Sequence, residues 1–202
     1  MEIITGNEME ALMLLLKDFN SDYNANNLSK KLGITSMGAL KILKKMEKQK
    51  LLNARQMGKA MFYKPDLNSS YTRTFLEFLL QKKAEETKSR VKMWVKELRK
   101  LQNNAEIGIL FGSVLEKENY NDVDLLIVLK QSQNSKINLL INEISRISIK
   151  KIHVIKQTKE DFKQNIRKKD KVVLNAIKNG IVFFGYEKII RVIQDVTPQK
   201  QI

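Results

Sequence analysis

The sequence predicts a mixed α+β protein, made of two folded parts that a long helix connects. Three observations predict it. Residues 1–68 show helical apolar spacing and then a short strand pair, residues 69–102 contain neither glycine nor proline, and residues 103–202 alternate strand-like and helical stretches. A chain of 202 residues is long enough for two such parts, each with its own core.

Charge and composition restrict the partners and the chemistry. The net charge is +15, and basic residues outnumber acidic ones in all three segments. Such a field attracts polyanions such as DNA, RNA or nucleotide phosphates, although a solvated lysine-rich surface is the alternative. The absence of cysteine excludes disulfides, thiolate metal sites and thiol nucleophiles. No apolar run approaches the roughly 20 residues of a membrane helix, so we expect a cytoplasmic protein without a membrane partner.

The first part is predicted as three helices and a hairpin. Residues 8–19 form the first helix, and Gly33 ends a short second helix. Ser36 is predicted to cap a third helix, whose lysines lie mostly off its apolar side. Residues 51–56 and 60–64 read as strands, because a tight turn with a glycine separates them.

Helix, short helix, glycine turn, basic helix and hairpin is the order of a winged helix-turn-helix. The stretch NLSKKLGITSMGALKILKKMEKQKLLNARQMGKAMFYKP resembles the DNA-binding domains of prokaryotic winged-helix regulators. The resemblance implies that the third helix enters the major groove of double-stranded DNA and that the wing reaches the flanking backbone. The residues expected at the DNA are Ser36, Met37, Lys41, Lys44, Lys45, Arg55 and Lys59. The alternative is a winged helix that contacts a protein partner.

Residues 69–102 are predicted as one connector helix with a coiled-coil-like seam. Its apolar positions repeat at alternating steps of four and three: Leu80, Ala84, Thr87, Val91, Trp94, Leu98 and Leu101. The seam either packs on the chain's own domains or pairs two copies of the chain. Because dimeric winged-helix proteins read two half-sites, the second use is favoured, and a homodimer is expected.

The third part is predicted as an α/β domain. Strands are expected at 107–111, 122–129, 149–155 and 181–184, with helices between and after them. Asp122 and Asp124 are two residues apart at the start of a buried strand, so their side chains share a face. Two carboxylates so placed can hold Mg²⁺, which prefers oxygen ligands and substrate phosphates.

A glycine and a serine follow the preceding strand directly. Gly112 lets the backbone approach a phosphate closely. Ser113 offers a hydroxyl and, if a helical turn begins at Val114, lies where backbone N–H groups point at an anion. Together with the two carboxylates, these residues could orient a nucleoside triphosphate.

The string ILFGSVLEKENYNDVDLLIVL resembles the signature of the polymerase-beta-like nucleotidyltransferase superfamily, and most closely its minimal nucleotidyltransferase branch. The resemblance covers residues 103–193 and implies a nucleotidyltransferase-like fold with a mixed sheet. It assigns nucleotide binding to Gly112 and Ser113, and metal binding and catalysis to Asp122 and Asp124. The implied cofactor is Mg²⁺, with a nucleoside triphosphate as substrate or ligand.

Two features depart from this family pattern. Only eight residues separate Ser113 from Asp122, so the connecting turn is short. Active members use a third carboxylate on a later strand, where the sequence SIKKIHVIK offers His153 instead. That histidine is either a metal ligand or base, or a structural strand residue.

These observations leave three hypotheses open. The first is a DNA-binding, transcriptional-regulator-like protein whose nucleotidyltransferase-like domain binds Mg-NTP as a ligand, with weak or no catalysis. The second is an active enzyme that transfers NMP from NTP to a protein or RNA, like the antitoxin members of the minimal branch. The third is a structural module for assembly. The absent third carboxylate favours the first hypothesis.

Overall fold

A computed structural model of the chain describes residues 4–197, which form two compact units. The described part of the first unit is residues 4–79 with residue 197, and the second unit is Leu80–Val196. Within residues 4–197, no helix combines the length and the apolar character needed to cross a membrane.

Helices and strands alternate much as the sequence predicts. The helices are α1 (Gly6–Lys17), α2 (Ala25–Leu32), α3 (Ser36–Lys48), α4 (Ser70–Glu85), α5 (Ser89–Leu98), α6 (Ser113–Glu116), α7 (Asn134–Arg146), α8 (Lys159–Arg167), α9 (Lys171–Asn179) and α10 (Tyr186–Val196). The strands are β1 (Leu52–Met57), β2 (Ala60–Pro65), β3 (Ile107–Phe111), β4 (Asp122–Val128), β5 (Lys151–Gln157) and β6 (Ile181–Phe184). Short 3₁₀ turns cover Arg99–Asn103 and Gln131–Gln133.

Local capping sets the ends of the helices in the first unit. Gly33 adopts a left-handed conformation (φ 66°) and ends α2, as predicted. The prediction that Ser36 caps α3 is wrong, because Thr35 is the cap and its hydroxyl oxygen accepts from the backbone N–H of Gly38 at 3.0 Å. Ser36 is instead the first residue of α3. Threonine fulfils the same capping role, so the helix begins one residue earlier than the sequence analysis predicts.

The hairpin of the first unit is antiparallel and tightly turned. Met57 pairs with Ala60, so Gly58 and Lys59 form the turn, and Gly58 has a positive φ of 61°. A single bridge between Tyr23 and Tyr63 attaches the chain before α2 to this hairpin. The helices and hairpin enclose a core that includes Leu12, Leu16, Leu28, Leu43, Met46, Leu51 and Tyr63.

The prediction of one connector helix over 69–102 is wrong. Residues 86–88 separate α4 from α5, and Arg99 forms an ion pair with Glu85, 14 positions earlier. In a straight helix 14 residues would span about 21 Å, so this ion pair requires a break. The break contains Thr87 and precedes Ser89, and both residue types are weaker helix formers than the leucine and lysine around them.

The seam of the connector is part of the core of the second unit. Its members Ala84, Val91, Leu98 and Leu101 are at most 1% exposed and lie in the cluster that contains strand residues Leu110, Val123, Leu125 and Ile127. Packing on the chain's own domain is therefore the use that the structure gives these positions. Trp94 is half-buried and packs against the same cluster.

A four-stranded mixed sheet organises the second unit. The strand order is β5-β4-β3-β6, with β4 antiparallel to β3, β6 antiparallel to β3, and β5 parallel to β4. This confirms the predicted mixed sheet of the α/β domain. Strands β3, β4 and β6 are almost entirely buried, so the first residues of β4 bring polar side chains to the margin of a rigid core.

Candidate functional site

The two aspartates at the start of β4 share one face of the strand. Val123, between them, is fully buried, whereas Asp122 and Asp124 are half-buried. This alternation is the period of two that a strand imposes. The prediction that the two aspartate side chains lie on one face of the strand is therefore confirmed.

The parallel neighbour β5 adds an imidazole to the carboxylates. Asp124 is in register with His153, whose Nδ1 lies 3.4 Å from Oδ2 of Asp122 and 3.7 Å from Oδ1 of Asp124. One ligand atom from each of the three residues lies within 4.8 Å of the others. Among residues 4–197, these three residues form the one group of acidic and histidine side chains that are close enough together to hold a metal ion.

The electrostatics of the group favour a positive partner. The pKa of Asp124 is raised, first because the carboxyl is partly buried and second because Asp122 is a negative neighbour. His153 acts in the opposite direction, through its charge and its hydrogen bond. An added cation would act as His153 does and stabilise the ionised form of Asp124.

Gly112 holds the turn after β3 in a conformation that suits glycine alone. Its φ of 79° and ψ of −157° lie in a region that side-chain-bearing residues rarely adopt. A Cβ on this residue would also overlap the Oδ2 of Asp124. The backbone of the turn therefore lies directly against the second aspartate, a contact that the sequence motif does not reveal.

Ser113 joins the turn to the first aspartate. Its hydroxyl donates to Oδ1 of Asp122 at 3.4 Å, longer than the usual O–H···O distance of about 2.5–3.0 Å. The residue begins the short helix α6, one position before the helical turn expected at Val114. Because its hydrogen bond is long, the hydroxyl can turn to another acceptor at small cost.

The structure identifies supporting residues that the sequence does not reveal. The indole N–H of Trp94 donates to the hydroxyl of Tyr120 at 2.8 Å, and Tyr120 lies in the short connection just before Asp122. Lys150 lies over the Tyr120 ring, 5.1 Å from its centre. Arg90 donates from Nε to the backbone carbonyl of Val114 at 3.2 Å, in α6. These contacts lie at both ends of the segment that connects the glycine-serine turn to Asp122. Their partners are far apart in sequence, so no local sequence pattern predicts them.

The ligand set fits a divalent cation. Carboxylate oxygens suit Mg²⁺, whereas imidazole nitrogen is a ligand that first-row transition metals accept more readily. Two oxygens from Asp122 and Asp124 would leave most of the octahedral positions around Mg²⁺ to water and phosphate oxygens.

The predicted DNA-facing residues of α3 differ in their surroundings. Met37 is 63% exposed, and Lys41 and Lys44 are exposed on the same helix. Ser36 is exposed as well, but its hydroxyl already donates to Oδ1 of Asn26 at 2.9 Å. The helix thus presents two lysines and an unbranched apolar side chain at its surface.

Lys45 has a structural partner in its own unit. Its Nζ lies 3.0 Å from Oε1 of Glu8, a carboxylate whose side chain is only 6% exposed. A buried charge is costly unless it is paired, so removing Lys45 would destabilise the unit. Arg55 and Lys59 of the hairpin, by contrast, are exposed.

The comparison with known protein families found a match, and it lies in the second unit. Residues 94–179, which lie within this unit, match the family described as Polymerase beta, Nucleotidyltransferase. The matched region contains the glycine-serine turn and both aspartates. No curated protein matches the chain. The second unit is thus nucleotidyltransferase-like in sequence and in fold.

Proposed function

We propose that the second unit binds a nucleoside triphosphate together with a divalent cation. The observation that carries this proposal is that the glycine-serine turn meets both carboxylates, Gly112 lying against Asp124 and Ser113 donating to Asp122. Gly112, with a backbone conformation that other residues rarely adopt, would hold the turn so that its backbone can face a phosphate, and the weakly bonded Ser113 hydroxyl would donate to that phosphate. Bound there, a cation would neutralise the charge between the carboxylates and the phosphates.

We also propose that the first unit is a winged helix that binds double-stranded DNA. Its support is the helix–turn–helix–hairpin order, the exposed Lys41 and Lys44 of α3, and the exposed Arg55 and Lys59 of the hairpin. Positive side chains on one helix and a hairpin match the phosphates beside a major groove. Combined with the second unit, this makes a regulator-like protein whose DNA binding responds to a nucleotide ligand.

A mobility-shift series over salt concentration tests the DNA part. Replacing Lys41 and Lys44 with alanine should weaken binding to a mixed-sequence duplex and reduce the salt slope by about 2. Lys45 is left intact, since its ion pair with Glu8 would confuse folding with binding. The matched control replaces the exposed Lys168 and Lys171 of the second unit, which removes the same charge. Equal affinity and slope in both double variants would refute the proposed DNA surface.

A second candidate is transfer of NMP from the triphosphate to a protein or RNA. The observation that favours it is His153, which provides a third potential ligand where active relatives carry a carboxylate. Incubation with α-labelled NTPs and candidate acceptors distinguishes the two functions. We expect nucleotide binding without label transfer in the native chain, and a gain of labelling in His153→Asp. Robust labelling by the native chain would establish the enzyme instead.

The homodimer and the cytoplasmic location remain predictions. Because the connector seam lies in the core of the second unit, a dimer would need other surfaces. Two copies would allow the protein to read two half-sites. Sedimentation equilibrium at micromolar concentration should give twice the 23.5 kDa chain mass, and a single species of 23.5 kDa would contradict the dimer.

A further inference from the structure

The metal-binding group of the second unit contains an imidazole as well as two carboxylates. We propose that His153 is a metal ligand through Nδ1 and that the site prefers a first-row transition dication, such as Mn²⁺, over Mg²⁺. This inference rests on the proposed nucleotide site, whose cation it specifies. His153 would then bind the cation directly, and its role would not be limited to the structure of the strand.

The position of His153 is fixed by strand pairing. Parallel register places it directly beside Asp124, and its Nδ1 is within 3.7 Å of an oxygen of each aspartate. The three residues lie on two adjacent strands of one sheet, so no loop movement is needed to bring them together. The imidazole side chain is 58% exposed, which leaves room for a cation, water and phosphate oxygens beside it.

The chemistry of the ligands determines the preferred ion. Mg²⁺ keeps much of its water and takes oxygen ligands almost exclusively in proteins. Imidazole nitrogen is a softer donor, and affinity for mixed nitrogen and oxygen sites rises along the first-row divalent metals from Mn²⁺. Replacing a carboxylate by a neutral imidazole also removes one negative charge, which weakens the Coulomb attraction on which Mg²⁺ depends most.

The competing explanation is that His153 only forms a hydrogen bond with the aspartates. In that case the two carboxylates alone would select the cation. Removing the imidazole by His153→Ala would then alter the affinities for Mn²⁺ and Mg²⁺ by the same factor. The ratio of the two affinities therefore separates a ligand from a neighbouring side chain.

Calorimetric titration of the untagged full chain with Mn²⁺ or Mg²⁺ alone measures that ratio without nucleotide. The variants are His153→Asp and His153→Ala, and Glu160→Gln is the control, since it removes a charge from the exposed start of α8. Losing even a hydrogen-bond partner of a metal ligand typically costs about 10- to 100-fold in affinity. We therefore expect His153→Ala to weaken Mn²⁺ binding at least about tenfold. Both His153→Ala and His153→Asp should lower the ratio of Mn²⁺ to Mg²⁺ affinity, and Glu160→Gln should change neither the affinities nor their ratio.

The chain has one histidine, so its imidazole can be observed directly. With ¹⁵N-labelled histidine, stoichiometric Zn²⁺ should shift the Nδ1 resonance of the native chain and of Glu160→Gln. It should leave this resonance unchanged in Asp122→Asn, where one of the other ligands is lost.

An unshifted Nδ1 together with an unchanged Mn²⁺ to Mg²⁺ ratio in His153→Ala would overturn the inference. If triphosphate still binds with Mg²⁺ in that case, the proposed nucleotide site stands and only the role of His153 as a metal ligand fails. If Zn²⁺ shifts Nδ1 and the ratio changes but no triphosphate binds, the metal ligand stands and the nucleotide site fails. Circular dichroism of each variant shows whether the fold is retained.

Discussion

The two units present their charged side chains in different ways. In the first unit, Lys41 and Lys44 lie along one helix, exposed, and each acts as a separate positive charge. In the second unit, Asp122, Asp124 and His153 come from two strands and meet within 4.8 Å. Loss of one lysine leaves the other lysine of the helix surface in place. Loss of one residue from the group on the two strands, by contrast, removes one of only three potential ligands.

This difference predicts where the two units are sensitive. The exposed lysines of α3 contribute long-range attraction, which falls in small steps as charges are removed. The group in the second unit combines partly buried like charges, so it stores unfavourable energy that a ligand can relieve. Successive mutations should therefore weaken DNA binding by the first unit gradually, whereas a single mutation should change ligand binding by the second unit sharply.

The largest expected effect comes from the core that supports the second unit. Leu98→Asp places a charge in a fully buried seam position and should cost at least about 4 kcal/mol of unfolding free energy. Met93→Asp, on the same helix but 71% exposed, is the matched control and should be near neutral. Urea denaturation measures both. A Leu98→Asp chain that remains folded and only changes its sedimentation mass would restore the seam as a dimer interface.

A smaller effect is expected at the turn that faces Asp124. Gly112→Ala combines an unfavourable backbone conformation, worth about 1–3 kcal/mol, with an overlap on a carboxylate oxygen. Gly58→Ala is the comparison, because its φ is also positive but its Cβ would meet open space. The melting temperature should therefore fall further in Gly112→Ala than in Gly58→Ala. Equal losses in the two variants would remove the argument that the turn is closely packed against Asp124.

The smallest effect concerns the charge of Asp124 in the metal-free chain. Folding raises its pKa, so its stabilising contribution is present below the unfolded pKa and is lost as pH rises through the folded one. At neutral pH the ionised group therefore lowers the stability of the fold. Asp124→Asn in a chelating buffer should raise the melting temperature by about 2 °C at pH 7 and give no gain at low pH. A lower melting temperature at pH 7 would contradict the sign of this effect.

Periodicity and motifs predict the elements and most of the site. The alternation around Val123 and the glycine-serine pair after a strand predict the faces and order of Gly112, Ser113, Asp122 and Asp124. Such features are local, because neighbouring residues on one strand or turn determine them. The basic helix of the first unit is predictable for the same reason.

Features that depend on distant pairing could not be predicted. The break between α4 and α5 depends on how the connector packs, and the ion pair of Glu85 with Arg99 exists only in the folded chain. The ion pair of Lys45 with Glu8 likewise joins residues 37 positions apart. The contact of Trp94 with Tyr120 shows the same limit, since only the fold brings an indole to the turn before Asp122.

Calorimetric titration with each nucleoside triphosphate, with and without a divalent cation, tests the central claim most directly. The native chain and Glu160→Gln should bind a triphosphate only when the cation is present, because the carboxylates and the phosphates repel each other without it. Asp124→Asn should lose this cation-dependent affinity and keep its fold. Absence of triphosphate binding in the native chain, or equal binding in Asp124→Asn, would contradict a nucleotide site at the start of β4.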